Sequence, residues 1–417
     1  MRSEQLDAGV VRSVAPNGLI VLSERLPAVR SAALGVWVRT ASVHEAPERM
    51  GASHLLEHMV FKGTERRTPQ QLALALEERG GSLDAYTSRD NTSFQAHVLD
   101  ADLPLAVDVV TDLVRRPLLR QSDLDLERNV ILEEIAGVED SPDDLVFELH
   151  SAALWPDHPY GYSILGTPET VGALSATDLR ALHDRAYYPG NCVIAAAGAV
   201  EHDVLLEALG REGWFEGAFQ APMERVQAPP AVRGFDRRHV RDTSQAHLVL
   251  GTDTFPAPDQ RRYALSLVVN HLGDGMSSRL FQKVREELGL AYAVFAYRHF
   301  YQGTGQLGVY VGTQAQSESK ALDAIRAELK AVSTQGLTEA EVAGARRQLQ
   351  GQIVLSQESP VARMGRLAGH ALTGDPYRSI DEVLRIVGSV PTADVAMVAA
   401  EFLTPERQTV QRLGPNM

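Results

Sequence analysis

The sequence predicts two α+β domains of one kind joined by a weakly structured connector, and three observations carry that expectation. The chain has 417 residues, more than one hydrophobic core usually supports. Each half opens on strand-length runs of branched residues and then alternates them with helix-length stretches in a similar order. Between the halves, residues 213–236 lose both periodicities and contain Ala228-Pro229-Pro230-Ala231. The N-terminal domain is therefore expected at 1–212, the linker at 213–236 and the C-terminal domain at 237–417.

Composition narrows the function classes. With 44% hydrophobic and 23% charged residues and no low-complexity tract, the chain reads as globular. A formal charge of −14, from 40 basic and 54 acidic residues, argues against a nucleic-acid or anionic-membrane binder, because both need a basic footprint. The single cysteine, Cys192, lies in the apolar run 192–197, so no intrachain disulfide can form and a thiol nucleophile is not expected. Met1–Asn17 lacks the apolar core of a signal peptide, and no apolar run reaches the roughly 18 residues that span a bilayer. A cytoplasmic location is the expectation.

Taken in order, residues 19–24 and 31–40 are strands, rich in branched side chains and ending in polar turns. A helix follows at 51–61, with Leu55, Leu56, Met59 and Val60 as its packing residues. The next runs from Thr68 to Arg79: Thr68 caps it, Pro69 suits the first helical position and Gly80-Gly81 stops it. Ser82 to Val98 alternates about the turn Ser88-Arg89-Asp90-Asn91, which predicts a hairpin whose first strand is an exposed edge. Helices are expected at 103–115, 122–139 and 175–187, then a buried strand at 192–200. In the second half strands fall at 245–251, 291–299 and 304–312. Helices fall at 259–272, 277–288, 317–333, 338–356, 360–372 and 379–402. Gly273-Asp274-Gly275 is a loop between helices rather than a phosphate cradle.

The chemistry centres on His54-Leu55-Leu56-Glu57-His58. Histidines four apart project from adjacent turns of one helix face and can reach one metal ion. Glu57 is placed to handle a water beside it, which makes H-x-x-E-H the inverted counterpart of H-E-x-x-H. The five residues alone leave open two surface histidines with no metal. A third ligand comes from the helix at 122–139. At about 100° per residue, Glu127 and Glu134 fall in the sector of Leu124, Ile131 and Ile135, whereas Glu133 points away. Carboxylates on a packed face need a partner, and a zinc hydrolase needs three protein ligands and one open position. His54, His58 and Glu134 are the candidate ligands. Zinc there lowers the pKa of a water from 15.7 toward about 7, and Glu57 takes its proton as general base.

The run His54 to Thr64, the segment Asp84-Ala85-Tyr86-Thr87-Ser88-Arg89-Asp90-Asn91-Thr92 and Glu127-Arg128-Asn129-Val130-Ile131-Leu132-Glu133-Glu134-Ile135 together resemble the pitrilysin family (M16) of inverzincin peptidases. The resemblance is to its branch of mitochondrial processing peptidase beta subunits and their bacterial relatives, over nearly the whole chain. It implies an N-terminal zinc-binding catalytic domain and a C-terminal domain of similar fold. Each is a mainly antiparallel sheet packed with helices, in the LuxS/processing-peptidase-like metallohydrolase manner, and the two face each other as a clamshell. In that family the third zinc ligand falls on Glu134 and a supporting glutamate on Glu127. An Arg and a Tyr seven apart, which stabilise the developing oxyanion, fall on Arg285 and Tyr292; read alone, these are a solvated helix residue and an ordinary strand aromatic.

The edge strand Ser82, Leu83, Asp84, Ala85, Tyr86 and Thr87 is the expected substrate platform, by addition of an extended peptide. Asp84 stands where relatives usually carry Asn. Ionised Asp cannot donate a hydrogen bond, so basic side chains are favoured nearby. The resemblance further implies one Zn2+ per subunit, a peptide or unfolded-protein substrate, and a homodimer, with a heterodimer with a degenerate homologue as the alternative. The expected function is a zinc metalloendopeptidase. The second hypothesis is a non-catalytic peptide-binding or assembly subunit, a class that typically loses members of the metal motif.

Overall fold

The computed structural model describes residues 1–416. It divides the chain into two compact units. The first takes residues 1–135, 163–225 and 356–377, and the second takes 136–162, 226–355 and 378–417. One crossing, between Arg225 and Val226, lies inside the connector expected at 213–236. The others do not, so neither unit is the contiguous span that the sequence periodicity marked out.

The first unit is built on a seven-stranded sheet. Its strands are β1 (Arg2–Asp7), β2 (Val10–Val14), β3 (Ile20–Arg25), β4 (Ser31–Val38), β5 (Ser82–Thr87), β6 (Thr92–Leu99) and β7 (Cys192–Gly198). They lie in the order β1-β2-β3-β7-β4-β6-β5, and every pairing is antiparallel except β3 with β7. The period-two rule sorts β7 cleanly. Cys192, Ile194 and Ala196 enter the core shared with helices Ala52–Val60, Leu103–Arg115 and Gln121–Asp140, while Val193, Ala195 and Ala197 enter a second core on the other face. That second face is covered by Met364, Leu367, Ala368 and Leu372 of helix Pro360–Thr373. The sequence placed this helix in the C-terminal domain. Burial of the thiol between these layers pushes Cys192 up to about 12, which disqualifies it as a nucleophile.

The second unit carries β8 (Asp236–Val240), β9 (Ala246–Thr254), β10 (Ala291–Phe300), β11 (Gly305–Thr313) and β12 (Thr409–Gly414), in the order β10-β11-β9-β12-β8. Only β12 with β8 is parallel. Leu248 and Leu250 of β9 face helices Arg262–Gly273 and Glu318–Gln335, and Val249 faces helix Pro142–Leu154 on the other side. Helix 142–154 was not anticipated, because the polar stretch Glu139-Asp140-Ser141-Pro142-Asp143-Asp144 masks its start. Two further expectations need correction. The single helix at 379–402 is two, Ile380–Ser389 and Thr392–Phe402, bent by 78° at Val390-Pro391, where proline cannot continue the hydrogen-bond ladder. The helix at 277–288 is a π-helical turn, Phe281–Glu287. Among the described residues no single helix is long and apolar enough to cross a membrane.

Candidate metal centre

Helix Ala52–Val60 carries the motif. Leu55, Leu56, Met59 and Val60 are completely buried, which fixes the helix against the sheet and turns the opposite side toward helix Gln121–Asp140. His54, His58 and Glu134 come together there, with one donor atom from each lying within 4.8 Å of the others. His54 Nε2 and His58 Nε2 each stand 3.8 Å from Glu134 Oε2, and the two rings meet edge to face at 4.6 Å. Tetrahedral zinc with bonds of about 2.0–2.2 Å places its ligand atoms about 3.4 Å apart, so the donor set needs only a small side-chain adjustment to hold the ion. The donor chemistry fits as well. Burial, and secondarily the His58 charge, lower His54 to about 4, which keeps it in the neutral form that binds metals. Glu134 does not share the packed face expected of it: its side chain is 42% exposed, on the open side of the centre, whereas Glu127, Ile131 and Ile135 of the same helix are buried.

Glu127 lies behind the ligands, 5% exposed. Its Oε1 is 2.9 Å from His58 Nδ1 and its Oε2 is 2.5 Å from Lys62 Nζ. A carboxylate on the far nitrogen of a ligating histidine fixes the ring and its tautomer. Glu127 is buried on the face that the helical period assigns to it, and Lys62, which no motif in the sequence marks, pairs with it. It sits one turn beyond His58, and only the tertiary fold shows that it neutralises Glu127.

Glu57 is also buried. Its Oε2 accepts a 2.6 Å hydrogen bond from the Thr87 hydroxyl, at the end of β5. Burial raises the Glu57 carboxyl above its ordinary value, the Thr87 hydrogen bond opposes the rise, and the charges of His58 and Glu134 act on it in opposite directions. Glu57 therefore shares the electrostatic neighbourhood of His58 and Glu134. On β5, Leu83 and Ala85 pack toward the core, while Ser82, Asp84 and Tyr86 are exposed. In the sheet of the first unit β5 pairs on one side only, with β6. It is an edge strand, so backbone groups along its outer side stay open for an added strand. Thr87 closes the strand expected to bind substrate, and its hydroxyl also ties that strand to Glu57. Tyr187, which no motif marked, is buried within the electrostatic reach of Glu57.

Arg285 and Tyr292 lie in the second unit and bind each other. The Arg285 Nη1 donates to the Tyr292 carbonyl at 3.0 Å, and the guanidinium stacks over the rings of Tyr292 and Phe281 at 4.7 and 4.6 Å. Tyr292 is 79% exposed, at the start of β10.

Comparison with known proteins adds a second line. Residues 20–168 match the model of the family described as insulinase (peptidase family M16), and residues 173–349 match the one described as peptidase M16 inactive domain. A Streptomyces coelicolor protein named an uncharacterized zinc protease is 39% identical over 412 residues, covering 97% of this chain and 90% of its own length. The chain belongs to peptidase family M16. A Bacillus subtilis protein with the same description is 35% identical to this M16 chain over 398 residues, covering 95% and 96%. A Helicobacter pylori protease of solved structure superposes with a TM-score of 0.89 at 21% identity, covering 97% and 99% of the two chains. A Pseudomonas fluorescens structure described as a peptidase M16 inactive domain does so at 0.89 and 20%, covering 98% of each. At these identities the two structures establish the fold, the two-domain α+β architecture of this family, and nothing further.

Proposed function

We propose that this M16 chain is a zinc metalloendopeptidase that hydrolyses peptide bonds of oligopeptides or unfolded protein segments. One observation carries the proposal: His54, His58 and Glu134 converge within ligand distance beside a buried carboxylate, Glu57, held by a hydrogen bond from the edge strand. The relatives named zinc proteases support it. His54, His58 and Glu134 hold the ion; zinc, one per subunit, supplies Lewis acidity, lowering the pKa of a water and polarising a carbonyl. The rest is done by the chain. Glu57 accepts the proton of the attacking water and passes it to the leaving nitrogen. Thr87 keeps one of its oxygens engaged, so the carboxylate has a fixed orientation, and Glu127 with Lys62 keeps the His58 ring in place. An extended peptide adds to β5, and exposed Asp84 favours basic side chains near it. Arg285 and Tyr292 serve as donors to the carbonyl oxygen as charge develops on it.

We further propose a homodimer, with a heterodimer with a degenerate homologue as the alternative, and a cytoplasmic location; measurement of solution mass and cell fractionation test them. The decisive experiment is Glu57→Gln. The variant is expected to retain zinc and to lose peptide cleavage by roughly 10²–10⁴-fold; a variant with zinc and parental rates sinks the mechanism. A chelator should abolish cleavage by the parent and added zinc should restore it.

A further inference from the structure

His54 sits near the N-terminal end of its helix. The helix starts at Ala52, so His54 lies in the first turn, where backbone N–H groups find no partner inside the helix. Its ring also lacks the support given to His58. His58 Nδ1 is held by Glu127 at 2.9 Å, whereas His54 Nδ1 is buried with no protein hydrogen-bond partner among the described residues. Apart from its contacts with His58 and Glu134, the placement of the His54 ring is set by the backbone turn that carries it. The capping residue cannot secure that turn: Gly51 has φ +87° and no side chain, and a Cβ there would stand 2.5 Å from the Leu165 carbonyl oxygen.

The turn is secured from outside the helix. The Gly51 N–H donates to Glu45 Oε2 at 2.9 Å and the Ser53 N–H donates to Glu45 Oε1 at 2.6 Å. One carboxylate thus spans two of the orphan donors, on either side of the first helical residue and immediately before His54. It is 7% exposed and sits at the positive end of the helix dipole; burial raises its carboxyl to about 7, and the Ser53 and Gly51 donors oppose that rise by favouring the ionised form, whose two oxygens satisfy both N–H groups. Its own segment is braced. It follows the short turn Ser42–His44, in which Val43 N–H donates to the Arg89 carbonyl at 3.0 Å and Ala41 N–H donates to His44 Nδ1 at 3.3 Å.

We infer that Glu45 is a positioning residue of the metal centre, fixing the first turn of helix Ala52–Val60 and through it the His54 ring, without touching metal or substrate. The two histidines are then held by two different carboxylates, His58 at its ring by Glu127 and His54 at its backbone by Glu45. This rests on the reading of His54 as a metal ligand.

The test compares the full-length parent with Glu45→Ala and Glu45→Gln, measuring zinc affinity by competition with a chromophoric chelator and amide hydrogen exchange by residue. Glu45→Ala is expected to weaken zinc binding about 10–100-fold, the range seen when a ligand's support is removed. It should speed exchange at residues 51–55 while β4 and helix Leu103–Arg115 stay protected. Glu45→Gln, which keeps one acceptor oxygen, should recover part of both. Peptide cleavage by Glu45→Ala should return toward the parent at saturating zinc, which Glu57→Gln cannot do. A folded Glu45→Ala with parental zinc affinity overturns the inference. If the Ala variant does not fold, Glu45→Gln decides, and parental affinity with unchanged exchange at residues 51–55 overturns it. A parent that binds no zinc overturns the metal reading and this inference with it, whereas a zinc-binding parent beside an unaffected variant overturns the inference alone.

Discussion

His58 is held from behind by a carboxylate that is itself neutralised, since Glu127 bridges His58 Nδ1 and Lys62 Nζ. Glu127→Gln weakens the acceptor while keeping the volume, and the expected result is a loss of zinc affinity of about 10–100-fold with the fold intact; competition against a chelator would expose the error if affinity is unchanged. Thr87→Val removes the hydroxyl that orients Glu57. A hydrogen bond to a carboxylate is worth about 1.5–3 kcal/mol, so kcat/KM should fall by at least about 10-fold while zinc content stays at the parental level; parental kinetics would deny Thr87 this role. The two residues differ in how far the sequence discloses them. Glu127 shares a helix face with Leu124 and Ile131, and a helical period shows that face without any knowledge of its neighbour. Thr87 and Glu45 act across segments distant in sequence. Alternation along β5 tells which side Thr87 faces, but only the packing of β5 beside helix Ala52–Val60 shows that Glu57 is what it meets.

Helices were legible where a stripe and a stop signal coincide, as from Thr68 to Gly81, and not where charge hides the stripe, as in helix Pro142–Leu154. That missed helix carries His150, completely buried against β9, β11 and β12. Its network fixes one neutral tautomer. The Thr409 hydroxyl donates to the Gly251 carbonyl and so accepts from His150 Nε2–H, at 2.7 Å in each case, while the Gln306 amide donates to His150 Nδ1 at 3.0 Å. A proton on Nδ1 would face another donor. Burial lowers His150 to about 3, against about 6.5 unfolded. The unfolded chain therefore binds the extra proton between these values, and stability falls as pH drops from about 6.5 toward 3, by up to about 1.4 kcal/mol per unit for this group. Above pH 6.5 the group contributes no pH dependence. His150→Gln should flatten the acid limb of the stability curve by one proton's worth of slope; denaturant melts of the two proteins at pH 7 and pH 4.5 that stay parallel would count against a neutral buried His150.

The two halves exchange helices. Helix Pro142–Leu154, from the N-terminal half, covers one face of the second sheet, and helix Pro360–Thr373, from the C-terminal half, covers one face of the first. Local periodicity could find both sheets and most helices, yet it could not assign these two, because an amphipathic stripe states that a helix is covered without naming the sheet that covers it. The consequence is a limit on where the chain can be cut. Residues 1–212, the unit a sequence boundary recommends, leave Leu22, Trp37, Val193 and Ala195 without Met364, Leu367 and Leu372. Each of the seven is at most 6% exposed in the intact chain, and exposing a large apolar side chain costs about 1.5–3 kcal/mol, so a handful of them matches the 5–15 kcal/mol that typically holds a domain folded. That fragment should be aggregated or molten, binding a hydrophobic dye and lacking near-ultraviolet dichroism. Joining segments 1–135, 163–225 and 356–377 through flexible glycine-serine linkers should give a soluble unit with a cooperative thermal transition, and leaving out 356–377 should abolish that transition. Equal cooperativity with and without 356–377 would show that the sheet does not need the helix from the other half, and the metal helix could then be studied on the shorter piece.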